Sequence, residues 1–111
     1  MKNMIVCAAN RYFVTRPDGV VEHIVIPDSG HFCKNMADII KLLKSLGCTL
    51  ESDNSDGDRG QGFIDESSNY HSRSEAYEIV KASRQHFNKE YLLPNNKLDS
   101  SCIRHFNEED F

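Results

Sequence analysis

The sequence predicts an α+β fold: a small antiparallel β-sheet of hairpins with two amphipathic helices, in a single domain over residues 1–111. Three features carry this reading. Two stretches of β-branched and aromatic residues fold back around tight turns, as hairpins do. Two other stretches repeat their apolar residues at helical spacing. The order is hairpin, helix, hairpin, helix, tail, and no linker is long enough to divide a chain of one-domain length.

"MIVCAANRYFVT" opens the first hairpin with the residue types that strands favour. Pro17, Asp18 and Gly19 supply the turn. "VVEHIVI" returns with alternation, Val21, His23 and Val25 on one side and Val20, Glu22, Ile24 and Ile26 on the other. The hairpin pairs residues 4–15 with 20–26, and Pro27 is expected to end it. In "HFCKNMADIIKLLKSLG" the period changes. Phe32, Met36, Ile39, Ile40, Leu43 and Leu46 form a core-facing stripe, Asp38 and Lys41 form a surface pair, and Gly47 stops the helix. "TLESDNSDGDRG" is acidic and turn-rich and reads as a mobile loop. "QGFID" and "NYHS" are short strands around the turn "ESS". Ser72 then begins a second helix, with Glu75 three residues on completing a capping box. Ala76, Ile79, Val80 and Ser83 make its buried stripe. Beyond Gln85 the signals are a turn at Pro94, Asn95 and Asn96, a short strand at residues 101–106 and an extended acidic end, "NEEDF".

Composition narrows the function classes. At 39% apolar and 27% charged the chain has the make-up of a soluble globular domain. A formal charge of −4 argues against broad duplex DNA binding, which needs a basic face, but allows a small anion held by two or three arginines. No run approaches the ~20 apolar residues of a membrane span, and residues 1–10 lack a signal-peptide pattern, so the cytoplasm is expected. Cys7, Cys33, Cys48 and Cys102 lack C-x-x-C spacing and read as free, mostly buried thiols.

Most chemical motifs fail on inspection. A calcium loop centred on Gly57 would place Ser52 first and Phe63 twelfth, where Asp and Glu are needed. "GQG" is an incomplete dinucleotide fingerprint and precedes a strand rather than a helix. None of His23, His31, His71, His86 and His105 pairs with another at i, i+4. The stretch 59–73 differs. Arg59, Gln61, Phe63, Asn69, Tyr70 and Arg73 are side-chain types that suit a nucleotide. Aromatic faces stack bases, Asn and Gln pair with the adenine edge, and Arg grips phosphate bidentately. Taken from the residues alone, packing and solvation explain this stretch better: Phe63 can fill the core as readily as stack a base, and Glu75 at the helix start repels phosphate. Arg73 sits between strand and helix, where its side chain is expected to be free to swing toward a ligand.

The central segment also resembles a known family. "QGFIDESSNYHSRSEAYEIVKASRQ" at 61–85 matches in register at Gln61, Gly62, Phe63, Ile64, Asp65, Tyr70, Arg73, Glu75, Ala76, Ile79 and Gln85. "GHFCKNM" at 30–36 and "FNEEDF" at 106–111 match its flanking elements. This pattern is similar to the first-described Thoeris anti-defence sponge family of phage proteins. Gly30 and Cys33 stand where that pattern has Arg and Asp, Ser68 replaces a turn glycine, and Ser83-Arg84 replaces Ala-Gly. The resemblance implies a non-enzymatic protein without cofactor, acting in the cytoplasm of the infected bacterial host. Such a sponge sequesters cyclic ADP-ribose-type signals, and in some members cyclic di- or trinucleotides of the CBASS system. It implies a homo-oligomer, dimer or hexamer. The expected ligand-binding set is His31, Arg59, Phe63, Asn69, Tyr70, Arg73 and Arg104, with no metal. Two other classes remain open: an inhibitor that binds a host defence protein through the acidic loop 51–58 and the tail 107–110, and an enzyme that degrades the signal.

Overall fold

The computed structural model describes residues 4–31, 33–87 and 89–104, with backbone alone at Ser101 and Arg104. One long central strand organises it. β1 (Ile5–Thr15) pairs antiparallel with β2 (Val21–Asp28) along one edge. Its other edge is divided. The C-terminal half pairs with β3 (Thr49–Ser52), and the N-terminal half pairs with β4 (Gln61–Asp65), which in turn pairs with β5 (Tyr70–Ser72). The result is a five-stranded antiparallel sheet with two helices, α1 (Lys34–Ser45) and α2 (Arg73–Ser83), so the α+β expectation holds.

Both helices cover the same sheet face, to which alternate residues of β1 point. Ala8, Tyr12 and Val14 of β1 and Ile26 of β2 are buried beneath them. Residues of β1 and β2 that point the other way, Phe13, Val21 and Val25, remain exposed. On α1 the stripe is only partly as expected. Met36 is fully buried, Ile39, Ile40 and Leu43 pack at its margin, Leu46 lies in solvent, and Phe32 falls outside the described residues. The surface partner of Asp38 is Lys34, one turn earlier, rather than Lys41. α1 has no side-chain cap of its own. Asp28, at the end of β2, accepts from the Met36 amide at 2.8 Å and serves in that place.

Four other expectations are corrected. β2 runs through Pro27 to Asp28, since Pro27 lies on an edge strand where its missing N–H costs no ladder bond. Residues 49–52 are a strand, not part of a loop. The rest of that loop is tied down: Asp53 contacts Arg11 at 2.9 Å and His23 at 2.8 Å, and Asp58 pairs with Lys97 at 2.8 Å. Of the strand expected at 101–106, residues 101–104 instead belong to a short helix, α3 (Ser100–Arg104), anchored by buried Cys102, and residues 105 and 106 fall outside the described residues. Of the four free cysteines only Cys102 is fully buried. The turn at 94–96 closes a small bridge between Leu93 and Lys97. Among the described residues no helix is long and apolar enough to cross a membrane.

Candidate functional site

The core consists of two apolar clusters. One gathers Ile5, Ala8, Phe63, Ala76, Val80, Leu98 and Cys102, and the other Tyr12, Val14, Ile26 and Met36. On the inward face of β1 the division falls between Ala8 and Tyr12, at Asn10. Asn10 is 1% exposed and lies opposite Gln61 of β4. Asn10, Gln61, His31 and Arg73 form a polar seam there. Buried polar groups are costly unless satisfied, so each bond in the seam matters.

Asn10 Nδ2 donates to the His31 carbonyl at 2.8 Å and to Tyr12 Oη at 3.1 Å, whereas its Oδ1 has no partner among the described residues. His31 Nε2 lies 2.8 Å from the Gly62 carbonyl, and its Nδ1 lies 3.4 Å from Arg73 Nη2. A carbonyl only accepts and a guanidinium only donates, so His31 is the neutral tautomer with its proton on Nε2. Burial, and then the Arg73 charge, lower its pKa to about 4. Arg73 is the first residue of α2. Its Nη1 donates to the Leu98 carbonyl at 3.0 Å and to Asp99 at 3.3 Å, and Nη2 donates to Gln61 Oε1 at 2.6 Å. It does not swing free. Backbone geometry aims it inward, because Ser72 is the helix cap. Ser72 Oγ accepts from the Glu75 amide, and the Glu75 carboxylate accepts from the Ser72 amide, the complete capping box.

The seam opens on a shallow depression of about 270 Å³ lined by Gly57, Asp58, Arg59, Gln61, Arg73 and Leu93. Arg59 stands exposed at its rim with φ at 57°, a region costly for a residue with a Cβ, and its amide donates to Asn54 Oδ1 at 2.7 Å. Arg59, Gln61 and Arg73 are thus brought together, with His31 beneath them.

The remaining sequence candidates lie elsewhere. Phe63 is 0% exposed and meets His31 edge-on at 5.5 Å, so no face is open for a base to stack on; its place is the core. Tyr70 lies on the opposite sheet face. Its ring crosses Gly62 so closely that a Cβ there would lie 2.6 Å from ring atoms and 2.3 Å from the His71 carbonyl. The glycine of "QG" therefore makes room for the protein's own Tyr70, not for a ligand. Arg11 lies over that ring, 4.2 Å from the centroid, and the hydroxyl donates to Asp56 at 3.2 Å. Burial and the Asp56 carboxylate raise the Tyr70 phenol pKa. Asn69 is an exposed turn residue whose amide donates to Asp65 Oδ1. Asp65 also accepts from the Ser67 amide and contacts His71, and this bonding, led by His71, holds its pKa down to about 2. The side chain of Arg104 lies outside the described residues. Sequence reasoning missed Asn10, whose signal was a polar residue at an inward position of an apolar strand, and Asp99, which carried no local signal.

The fold and seam define a one-sided antiparallel sheet whose helices cover a core crossed by buried polar groups, with two arginines at the opening. By sequence the chain belongs to the family described as phage T4 y16D protein, whose model matches residues 4–110. No curated protein and no solved structure matches it.

Proposed function

We propose that this phage protein is an anti-defence sponge that binds a cyclic nucleotide immune signal, of the cyclic ADP-ribose type, and holds it intact. The observation that carries the reading is Arg73. A buried guanidinium fixed by Gln61, His31, Asp99 and the Leu98 carbonyl lines an open depression beside Arg59. With its Nη protons engaged by these protein groups, Arg73 supplies a fixed positive charge at the floor of the depression, and the direct grip on a pyrophosphate falls to the exposed Arg59 guanidinium. The neighbouring Gln61 and the exposed Arg59 side chain complete a small anion grip. Sequestration needs no general base, and His31, neutral and committed to two bonds, supplies none. The depression is small for a cyclic dinucleotide, so the site is shared between copies of a homo-oligomer, as the sequence resemblance implies.

The test incubates the protein with cyclic ADP-ribose isomers and cyclic oligonucleotides, filters away free ligand, then heats the retained protein. A sponge depletes one of these ligands and returns it unaltered after denaturation. Recovery of a cleaved product makes the protein an enzyme, and no depletion of any ligand leaves the protein-inhibitor class. Light scattering at micromolar concentration is expected to give a dimer or hexamer. A monomer that still binds tightly overturns the shared site.

A further inference from the structure

We propose that a second site, at the far end of α2, takes a nucleoside phosphate. The hollow there is about 540 Å³, twice the volume of the depression beside Arg73, and within the range of small-molecule sites. Its helical lining runs from Tyr77, about 6 Å along the helix from Arg73, to Arg84, about 16 Å away at 1.5 Å per residue, and it shares no lining residue with the first depression.

Its lining combines an aromatic wall with cations. Tyr77, Lys81 and Arg84 recur at i, i+4 and i+7, which puts them on one face of the helix end. Phe87 meets the Tyr77 ring edge-to-face at 6.2 Å, and Leu92 extends this apolar wall. Lys81 Nζ sits 4.9 Å from the Tyr77 centroid, and its carboxylate neighbour, Glu78, is distant at 3.9 Å. Lys89 contributes a further ammonium from the 3-10 turn Lys89–Tyr91. Neither Arg84 nor Lys89 forms an ion pair among the described residues, in a chain whose formal charge is −4. Cations without a close ion pair among the described residues, set beside an aromatic wall, fit a ligand that is aromatic at one end and anionic at the other.

Arg84 gives an independent indication. It ends α2 in the left-handed conformation, φ 58° and ψ 28°, where glycine is the usual residue because it bears no Cβ. The chain places a long cationic side chain at that strained position, and it lines the hollow.

The proposal does not depend on the sponge reading. Calorimetry with ADP as probe, on the full chain, tests it beside adenosine and inorganic pyrophosphate. Arg84→Gly with Lys89→Ala keeps the backbone comfortable, so folding is preserved, and is expected to weaken ADP at least tenfold. Arg59→Gly should leave ADP affinity within twofold while weakening any cyclic ADP-ribose bound at the first depression. Tyr77→Leu should weaken ADP more than pyrophosphate. The proposal fails if wild-type protein binds no ADP at millimolar concentration. It fails also if the double variant binds ADP like wild type, or if pyrophosphate binds as tightly as ADP and the wall contributes nothing.

Discussion

Arg73 and Arg59 line the same depression, yet their side chains do different work. Arg73 satisfies the buried Leu98 carbonyl and Gln61 Oε1 and balances Asp99, so Arg73→Ala strands several groups at once. The expected loss is about 2–4 kcal/mol of stability by chemical denaturation, the scale for breaking a buried charged network. Arg59 is exposed and makes no such bonds among the described residues, and its positive φ suits glycine. Arg59→Gly should therefore leave stability unchanged or slightly raised while ligand affinity falls about tenfold, near 1.4 kcal/mol. An Arg73→Ala protein as stable as wild type would show that the seam is not held by this arginine. Phe63 belongs to the same scale. It keeps company with Ala8, Ala76 and Val80, so Phe63→Leu should cost about 1 kcal/mol from imperfect refilling of the core and leave binding untouched. Unchanged stability with lost binding would return Phe63 to the ligand.

At the scale of elements, the capping box decides where α2 begins and hence where Arg73 points. Ser72→Ala removes the acceptor for the Glu75 amide and should cost about 1 kcal/mol, read from the denaturation midpoint. A shift below a few tenths would mean that Glu75 alone holds the helix start. This box was legible because its signal is local, two residues at fixed spacing. The first hairpin, α1 and the "QGFID" and "NYHS" strands were legible for the same reason: alternation or a stripe within one segment. β3 was not. Its four residues, Thr49–Ser52, carry no alternating apolar face and become a strand only by pairing with β1 some thirty-five residues away. α3 was misread as a strand because five residues have too little length to show a period, and its helix is fixed by Cys102 reaching the core. The site was legible by residue type only. Arg59, Gln61 and Arg73 stand out as a polar group in the sequence. Their separation from Tyr70 follows from alternation across β4 and β5, and the burial of Phe63 from α2 packing over it.

Across the whole molecule, the polar seam ties stability to pH, because a protein whose core contains a histidine must keep it neutral to fold. His31 titrates near its ordinary 6.5 when the chain is unfolded and at about 4 when folded, since burial and then Arg73 oppose its charge. Between those values the unfolded chain takes up a proton that the folded one refuses. Stability therefore falls as pH drops from 6.5 to about 4, and the His31 contribution is constant below that. The 2.5-unit difference corresponds to about 3 kcal/mol at 1.36 kcal/mol per unit. Asp65 acts further down. Its carboxylate, bonded to His71 and to turn amides, titrates at about 2 against an ordinary 3.8, so its contribution is present above 3.8 and lost as pH falls toward 2. Acid unfolding is thus expected in two stages with different owners. His31→Gln, which retains an N–H for the Gly62 carbonyl and removes the titrating ring, should flatten the stage between pH 6.5 and 4 and leave the lower one in place. Denaturation midpoints measured from pH 7.5 to 2 on both proteins separate them. A wild-type midpoint that does not change between pH 7 and 4.5 would mean that His31 accepts its proton in the folded state, and that the seam opens to water more readily than its hydrogen bonds imply.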